Sequence, residues 1–349
     1  MLKGNKGEWS EIYTFVYLLV TEKLYAADKD LNTVEDIYFP IIKILRESYD
    51  YMPGDTIKIF CNNHLIKEVN KEELKKTCNI LLDKISHNSG AFQIKEVEPF
   101  FNSICCTKLK AASSKKQDIT IQIYDIHTGI SPTCGFSIKS YLGAPPTLLN
   151  PGIGTNFIYQ IDECNDSIMN HVNTIKTKSK IKDKINYLYN AGCKLVPEEH
   201  LASKQFEENL SFIDTSMGKI LSFMVLYSYK YNLHYIPDIV KKIIEDNPLS
   251  FSNLKMYEYK IKKALCAFAL GMTPEKIWEG QEDANGGYII VKNDGSVVCY
   301  HIYNRPDFEQ YLYEYSYIER PSTSRYYYMD IYKNNNRYFI KLNLQIRFK

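Results

Sequence analysis

The chain has 349 residues, 45% apolar and 24% charged, with a formal net charge of +2; this allows ample core for one large domain or two and excludes a disordered or fibrous class. At near-neutral charge, any basic surface for a polyanion has to be local. Nine cysteines, an odd number without a CxxC pair, fit free thiols in a reducing cytoplasm better than a disulfide framework or a zinc site.

The 29 tyrosines against 2 tryptophans carry little functional weight, since an AT-rich genome favours Tyr, Lys, Asn and Ile codons. The apolar run from Ile12 to Val20 contains Tyr and Thr and is too short to span a bilayer. The residues around it, Lys3, Lys6, Glu8 and Glu11, do not make a cleavable signal. A soluble cytoplasmic protein with no membrane partner is expected.

A flexible lead-in, Lys3-Gly4-Asn5-Lys6-Gly7, precedes a helix expected from about Glu8. Trp9, Ile12, Phe15, Val16 and Leu19 recur at helical spacing as its buried stripe. Glu8 and Glu11, three apart, share a neighbouring face. They could complement the helix dipole or enter a site; the dipole reading is preferred for Glu8, and for Glu11 the two are balanced. A second helix is expected over Val34 to Tyr49, kinked at Pro40. A small hairpin around Asn62-Asn63 follows, then a helix from Lys71 to about Ser86 with Asn70 and Glu73 as a capping box. A shorter helix near Pro99 to Ile104 leads into Ala111-Ala112-Ser113-Ser114-Lys115-Lys116, which is either a solvated linker or a phosphate-contacting loop.

The central feature is a hairpin, Gln117 to Ile123 and Gly135 to Ser140. Ile119, Ile121 and Ile123 line one face; Asp118, Thr120 and Gln122 line the other. Antiparallel pairing is expected to bring Asp118 to Lys139. A carboxylate beside a lysine can be a cross-strand salt bridge, or it can hold Mg²⁺ next to a group that orients the attacking water. Thr155 to Ile161 reads as a third strand. Cys164 to about Ile277 is mostly helical, and its basic run Lys176 to Lys184 is read first as a solvated face and second as a DNA contact. Strands are expected at Tyr288–Lys292, Val297–Tyr303, Tyr326–Tyr332 and Tyr338–Phe348.

The last strand alternates, with Lys341, Asn343, Gln345, Arg347 and Lys349 on one face. These residue types can read base edges and phosphates, or simply form a polar outer face. The loop Glu319-Arg320-Pro321-Ser322-Thr323-Ser324-Arg325 likewise suits phosphate or base contacts, or an ordinary exposed loop. The chain has no Walker loop, dinucleotide fingerprint, HExxH, Gly-x-Ser-x-Gly or internal repeat, and its seven His lack metal-ligand spacing.

Lys3-Gly4-x-x-Gly7-x-x-x-Glu11 resembles the N-terminal pattern of the mismatch-repair nuclease MutH and the restriction enzyme Sau3AI. Asp118 with Ser137-Ile138-Lys139 resembles the PD-(D/E)xK nuclease signature. More closely, Gly4 to Glu11, Gly135 to Ser140, Thr147-Leu148-Leu149-Asn150, Thr155-Asn156-Phe157 and Lys341 to Phe348 together, in order and nearly end to end, resemble the HpaII restriction endonuclease family. The resemblance implies an α/β (α+β) fold: a restriction-endonuclease-like mixed sheet core flanked by helices, with a helical middle and a β-rich C-terminal region. The expected division is 1–165 for the catalytic core, 166–278 for the helical region and 279–349 for recognition.

It further implies a Mg²⁺-dependent type II endonuclease that cuts double-stranded DNA at CCGG when unmethylated, with a cognate methyltransferase as partner. A four-base palindrome suits a homodimer. Asp118 becomes the metal-binding aspartate, Lys139 the catalytic lysine and Glu11 the helix carboxylate; Gln122 or Thr120 lines the site. Ser137 departs from the signature's acid, so another carboxylate has to compensate: Glu11 first, Glu8 second, Asp125 least. DNA contacts are expected from Lys115, Lys116, Arg320, Ser322, Ser324, Arg325, Lys341, Asn343, Gln345 and Arg347. The competing readings are a DNA-binding protein that does not cut, and a structural or interaction protein.

Overall fold

The computed structural model describes residues 2–110, 117–126 and 128–349. The chain forms two compact units: 1–146 with 282–311, and 147–281 with 312–349.

The first unit is built on a nine-stranded mixed sheet. The hairpin strands Ile119–Ile123 and Thr133–Ser140 lie near its middle. Thr133–Ser140 pairs antiparallel with Ile119–Ile123 on one side and parallel with Gly287–Val291 on the other, so a segment distant in sequence completes the site's sheet. Gly287 makes this junction. Its φ is +119°, and a Cβ there would stand 2.0 Å from the Tyr300 carbonyl oxygen; only glycine tolerates both conditions.

The expected helix over Val34 to Tyr49 is instead the long strand Thr33–Arg46 and the strand Tyr49–Met52. The segment's Val34, Ile37, Ile41, Ile42 and Ile44 are β-branched and favour a pleated surface. Pro40 sits inside the strand without kinking a helix: its carbonyl accepts from the Tyr124 amide at 2.8 Å, and a ladder irregularity follows between Ile41 and Lys43. The hairpin around Asn62 and Asn63 forms with both residues at positive φ, the geometry of a two-residue turn. The helix Lys71–His87 is capped by the Asn70 side chain, which accepts from the Glu72 amide.

Helix Lys6–Thr21 starts at Asn5, whose side chain accepts from the Glu8 amide while Glu8 bonds back to the Asn5 amide, a complete capping box. Its stripe Trp9, Ile12, Phe15, Val16 and Leu19 is fully buried, as its spacing predicts; each such side chain contributes about 1.5–3 kcal/mol of burial. Three polar ties fix the helix against the sheet and its turns. Ser10 Oγ meets Ser140 Oγ at 2.8 Å, Lys6 Nζ donates to the Leu142 carbonyl at 2.9 Å, and Tyr13 donates to the Gly295 carbonyl at 2.6 Å.

The second unit holds a four-stranded sheet, a three-stranded sheet and the helices between Asp166 and Leu270. The third strand, Asn156–Asp162, belongs here and pairs with Lys194–Pro197 and Arg337–Asn343. Two further expectations change. Tyr326–Tyr332 divides into a short helix, Thr323–Tyr326, and a strand, Ile331–Asn334. The last strand breaks at Leu344 into Arg337–Asn343 and Gln345–Phe348, which enter different sheets. Alternation by itself carries no information about which sheet a strand joins. Among the described residues all nine cysteines are free, and no single helix is long and apolar enough to cross a membrane.

Gly287→Ala is expected to destabilise the protein by about 2 kcal/mol or more, because Ala fits neither the dihedral nor the space. Urea unfolding at matched pH measures the shift in midpoint.

Candidate active site

Asp118 stands just before the strand Ile119–Ile123, and its amide donates to the Phe136 carbonyl at 2.8 Å. Its carboxylate reaches across the hairpin: Oδ2 accepts from the Ile138 amide at 2.7 Å and from Ser137 Oγ at 3.2 Å. Ser137, 1% exposed, therefore orients Asp118. Among the described residues no donor reaches Oδ1.

Glu11 faces this group from the helix Lys6–Thr21. Burial comes first and the Asp118 charge second in pushing its carboxyl up to about 8, against the lowering pull of Arg46 and Lys110. Lys139 is half-buried. Burial pushes its ammonium down, opposed by Asp118 and Glu11. Asp118 and Lys139 are within electrostatic reach, as the hairpin predicts. Among the described residues, however, no ion pair within 4.0 Å joins them, so this is not a simple cross-strand salt bridge.

Glu8 is engaged elsewhere. Its Oε1 pairs with Lys110 Nζ at 2.6 Å and its Oε2 closes the capping box. Burial opposes its ionisation, but Lys110 and the Asn5 amide outweigh that and hold it below the usual carboxylate range. Gln122 turns its amide to the Ser131 carbonyl at 3.0 Å, bracing the hairpin loop. Asp125 is buried and bound to Thr128 and Tyr303.

Two cations that the sequence does not single out belong to the site. Lys110 feels Glu8, Glu11 and Asp118 together, and these raise its pKa. Arg46, 6% exposed, donates to the carbonyls of Lys108 and Leu109 at 2.5 and 2.9 Å and so fixes the segment that carries Lys110. Leu109 in turn packs so near Gly4 that a Cβ there would meet it at 2.6 Å. The glycine in the N-terminal pattern thus serves a close approach.

A family model described as HpaII restriction endonuclease matches residues 5–348. The chain belongs to the HpaII restriction endonuclease family. It is 41% identical, over 99% of its own length and 98% of the relative's, to the type II restriction enzyme HpaII of Haemophilus parainfluenzae. No solved structure matches it. As a member of the HpaII restriction endonuclease family the chain is a site-specific deoxyribonuclease acting on double-stranded DNA.

Restriction endonucleases generally use a divalent metal. Among the described residues no cluster of three or more His, Cys, Asp or Glu forms a metal cage. Two electrostatically coupled carboxylates, Asp118, with an oxygen that no donor reaches among the described residues, and Glu11, kept neutral by burial first and the Asp118 charge second, do fit a hard cation that keeps several waters.

The expected DNA contacts lie in the second unit, apart from Lys115 and Lys116, which fall outside the described residues. Arg320 is half-buried: it donates to the Ser228 carbonyl at 2.7 Å and to His234 Nε2 at 2.8 Å, and lies over the Tyr229 ring at 4.8 Å. Asn343 is fully buried, and its amide donates to Gly152, Thr155 and Asn156. Arg347 pairs with Glu319 at 3.0 Å, Gln345 is buried, and Lys341 lies 5.7 Å over Tyr332. Ser322, Ser324 and Arg325 are exposed.

The raised Glu11 pKa has a signed consequence. A carboxyl that is neutral in the fold up to about 8 but ionised above about 4.5 when unfolded stabilises fully below 4.5, and this contribution is lost as pH rises to 8. In metal-free buffer the urea midpoint of the wild type is expected to fall over that window more than that of Glu11→Gln. Parallel pH profiles would contradict the burial of Glu11.

Proposed function

We propose that the chain is a PD-(D/E)xK-type enzyme that hydrolyses phosphodiester bonds of unmethylated CCGG in double-stranded DNA, with Mg²⁺ held by Asp118 and Glu11. It works in the cytoplasm as a homodimer, beside a methyltransferase that protects host DNA. The observation that carries this reading is the electrostatic coupling of a half-buried helix carboxylate, Glu11, to both Asp118 and Lys139. Glu11 supplies from the helix the acid that Ser137 does not supply from the strand.

Bound Mg²⁺ would activate water and neutralise charge at the scissile phosphate. The chain's own groups do the rest. The Ile138 amide and Ser137 hydroxyl fix one oxygen of Asp118. Asp118 and Glu11 are the carboxylates that would hold the cation, Glu11 in its ionised form. Lys139, made less basic by burial, orients the attacking water and donates a hydrogen bond to a phosphate oxygen whose charge grows in the transition state. Lys110 adds positive charge at the rim. Glu8 keeps Lys110 in place. Recognition draws on the exposed Ser322, Ser324 and Arg325 of the loop and on Lys341 of the strand Arg337–Asn343.

Incubation of unmethylated plasmid with Mg²⁺, followed by sequencing of fragment ends, tests the reading. Wild type is expected to give discrete fragments ending at CCGG, and Lys139→Ala to cut about 10²–10⁴-fold more slowly. Glu11→Ala is expected to lose cleavage while still binding the duplex in Ca²⁺. Undiminished cutting by Lys139→Ala would overturn the assignment.

A further inference from the structure

In the second unit, two segments far apart in sequence close around one cleft of about 310 Å³. The basic run supplies Lys178, Lys180 and Lys182, and the Arg320–Thr323 loop supplies Arg320 and Ser322; no Asp or Glu lines the cleft. Among the described residues none of the three lysines forms a salt bridge. The nearest acid along the chain, Asp183, is bound by the Thr177 hydroxyl, and the neighbouring Lys184 is the one in the run that is buried and paired, with Asp330 at 2.6 Å.

Arg320 is held rigid by the Ser228 carbonyl, the imidazole of His234 and the Tyr229 ring. His234 Nδ1 meets the Ile318 carbonyl at 3.1 Å and its Nε2 meets Arg320 at 2.8 Å, so the imidazole ties the guanidinium to the chain without a carboxylate. Four cationic side chains thus share one small concavity without a carboxylate. Such like charges repel, and the arrangement is relieved when an anion enters. The helix Lys180–Asn190 opens at the cleft, and its cap residue Ser179 makes no side-chain capping bond, so the positive end of its dipole lies at the cleft.

We propose that this cleft is a phosphate site that seats the backbone of the duplex substrate, contacting it independently of base sequence. Within the run Lys176 to Lys184, Lys184 packs inward, while Lys178, Lys180 and Lys182 line the cleft, an arrangement that favours the run's second reading as a DNA contact. The inference rests on the proposed function for the source of the phosphate, but the cleft itself is defined by the second unit alone. A pre-fixed planar guanidinium among mobile ammonium groups is the usual composition of a backbone clamp.

The test is duplex binding in Ca²⁺ by fluorescence anisotropy across a salt series, with wild type and the combined Lys178→Gln, Lys180→Gln, Lys182→Gln variant. All three sites tolerate substitution without loss of core, and thermal melts check the fold. Each lost phosphate contact lowers the slope of log affinity against log salt by about 0.9, so a drop of about 1–2 is expected. Affinity should fall by about tenfold or more for CCGG and unrelated duplexes alike. In wild type, amine-reactive footprinting should show these lysines protected by either duplex.

An unchanged slope with unprotected lysines, in a wild type that binds and cuts, overturns the cleft and leaves the proposed function standing. Weakened binding confined to CCGG overturns the phosphate assignment in favour of base reading. If wild type binds no duplex, the proposed function fails. Footprinting with inorganic pyrophosphate then decides the cleft alone: protection keeps the phosphate site, and its absence removes it.

Discussion

The arrangement depends on one unfavourable proximity: the carboxyl of Glu11, half-buried, faces the carboxylate of Asp118. Two such groups repel in a medium of low polarity, so the apo protein keeps Glu11 neutral near physiological pH. The surrounding structure pays for this with long-range ties. The capping box at Asn5, the Ser10–Ser140 contact and the Lys6–Leu142 bond hold the helix Lys6–Thr21 in a register that returns Glu11 to the hairpin. A cation bound beside such a carboxyl would reverse the preference, which is what the proposed function asks of Glu11.

The positive groups divide the work by chemistry. Arg46, always ionised and planar, hooks two backbone carbonyls and shapes the approach of Leu109 to Gly4. Lys110, on a flexible stem, balances Glu8 at the rim. Lys139 is made less basic by burial, the property that suits a group taking part in proton movement. The Ser137 hydroxyl and the following amide immobilise one oxygen of Asp118, so the serine orients the carboxylate in place of supplying one.

Much of this was legible in the sequence because its signals are local. The hairpin alternation, the helical stripe from Trp9 to Leu19 and the Asn62-Asn63 turn each follow from a few adjacent residues, and the structure reproduces them. Long-range competition explains what was missed. Pro40 suggested a kinked helix, but the β-branched residues around it found strand partners on both sides. Arg46 lay inside that misread segment, so its role was invisible. The polar face of the last strand was expected to meet DNA. Instead the break at Leu344 sends its halves into two sheets, and Asn343 bonds to the Gly152–Asn156 turn. Side-chain alternation identifies a face and leaves open what covers it.

The most direct measurement is calorimetric titration of Mg²⁺ into the protein bound to a CCGG duplex with an uncleavable linkage, comparing wild type with Asp118→Asn and Glu11→Gln. If the helix carboxylate replaces the strand acid, both variants lose Mg²⁺ binding while duplex affinity remains. Wild-type Mg²⁺ affinity in Glu11→Gln would contradict the account and assign the second carboxylate to another residue.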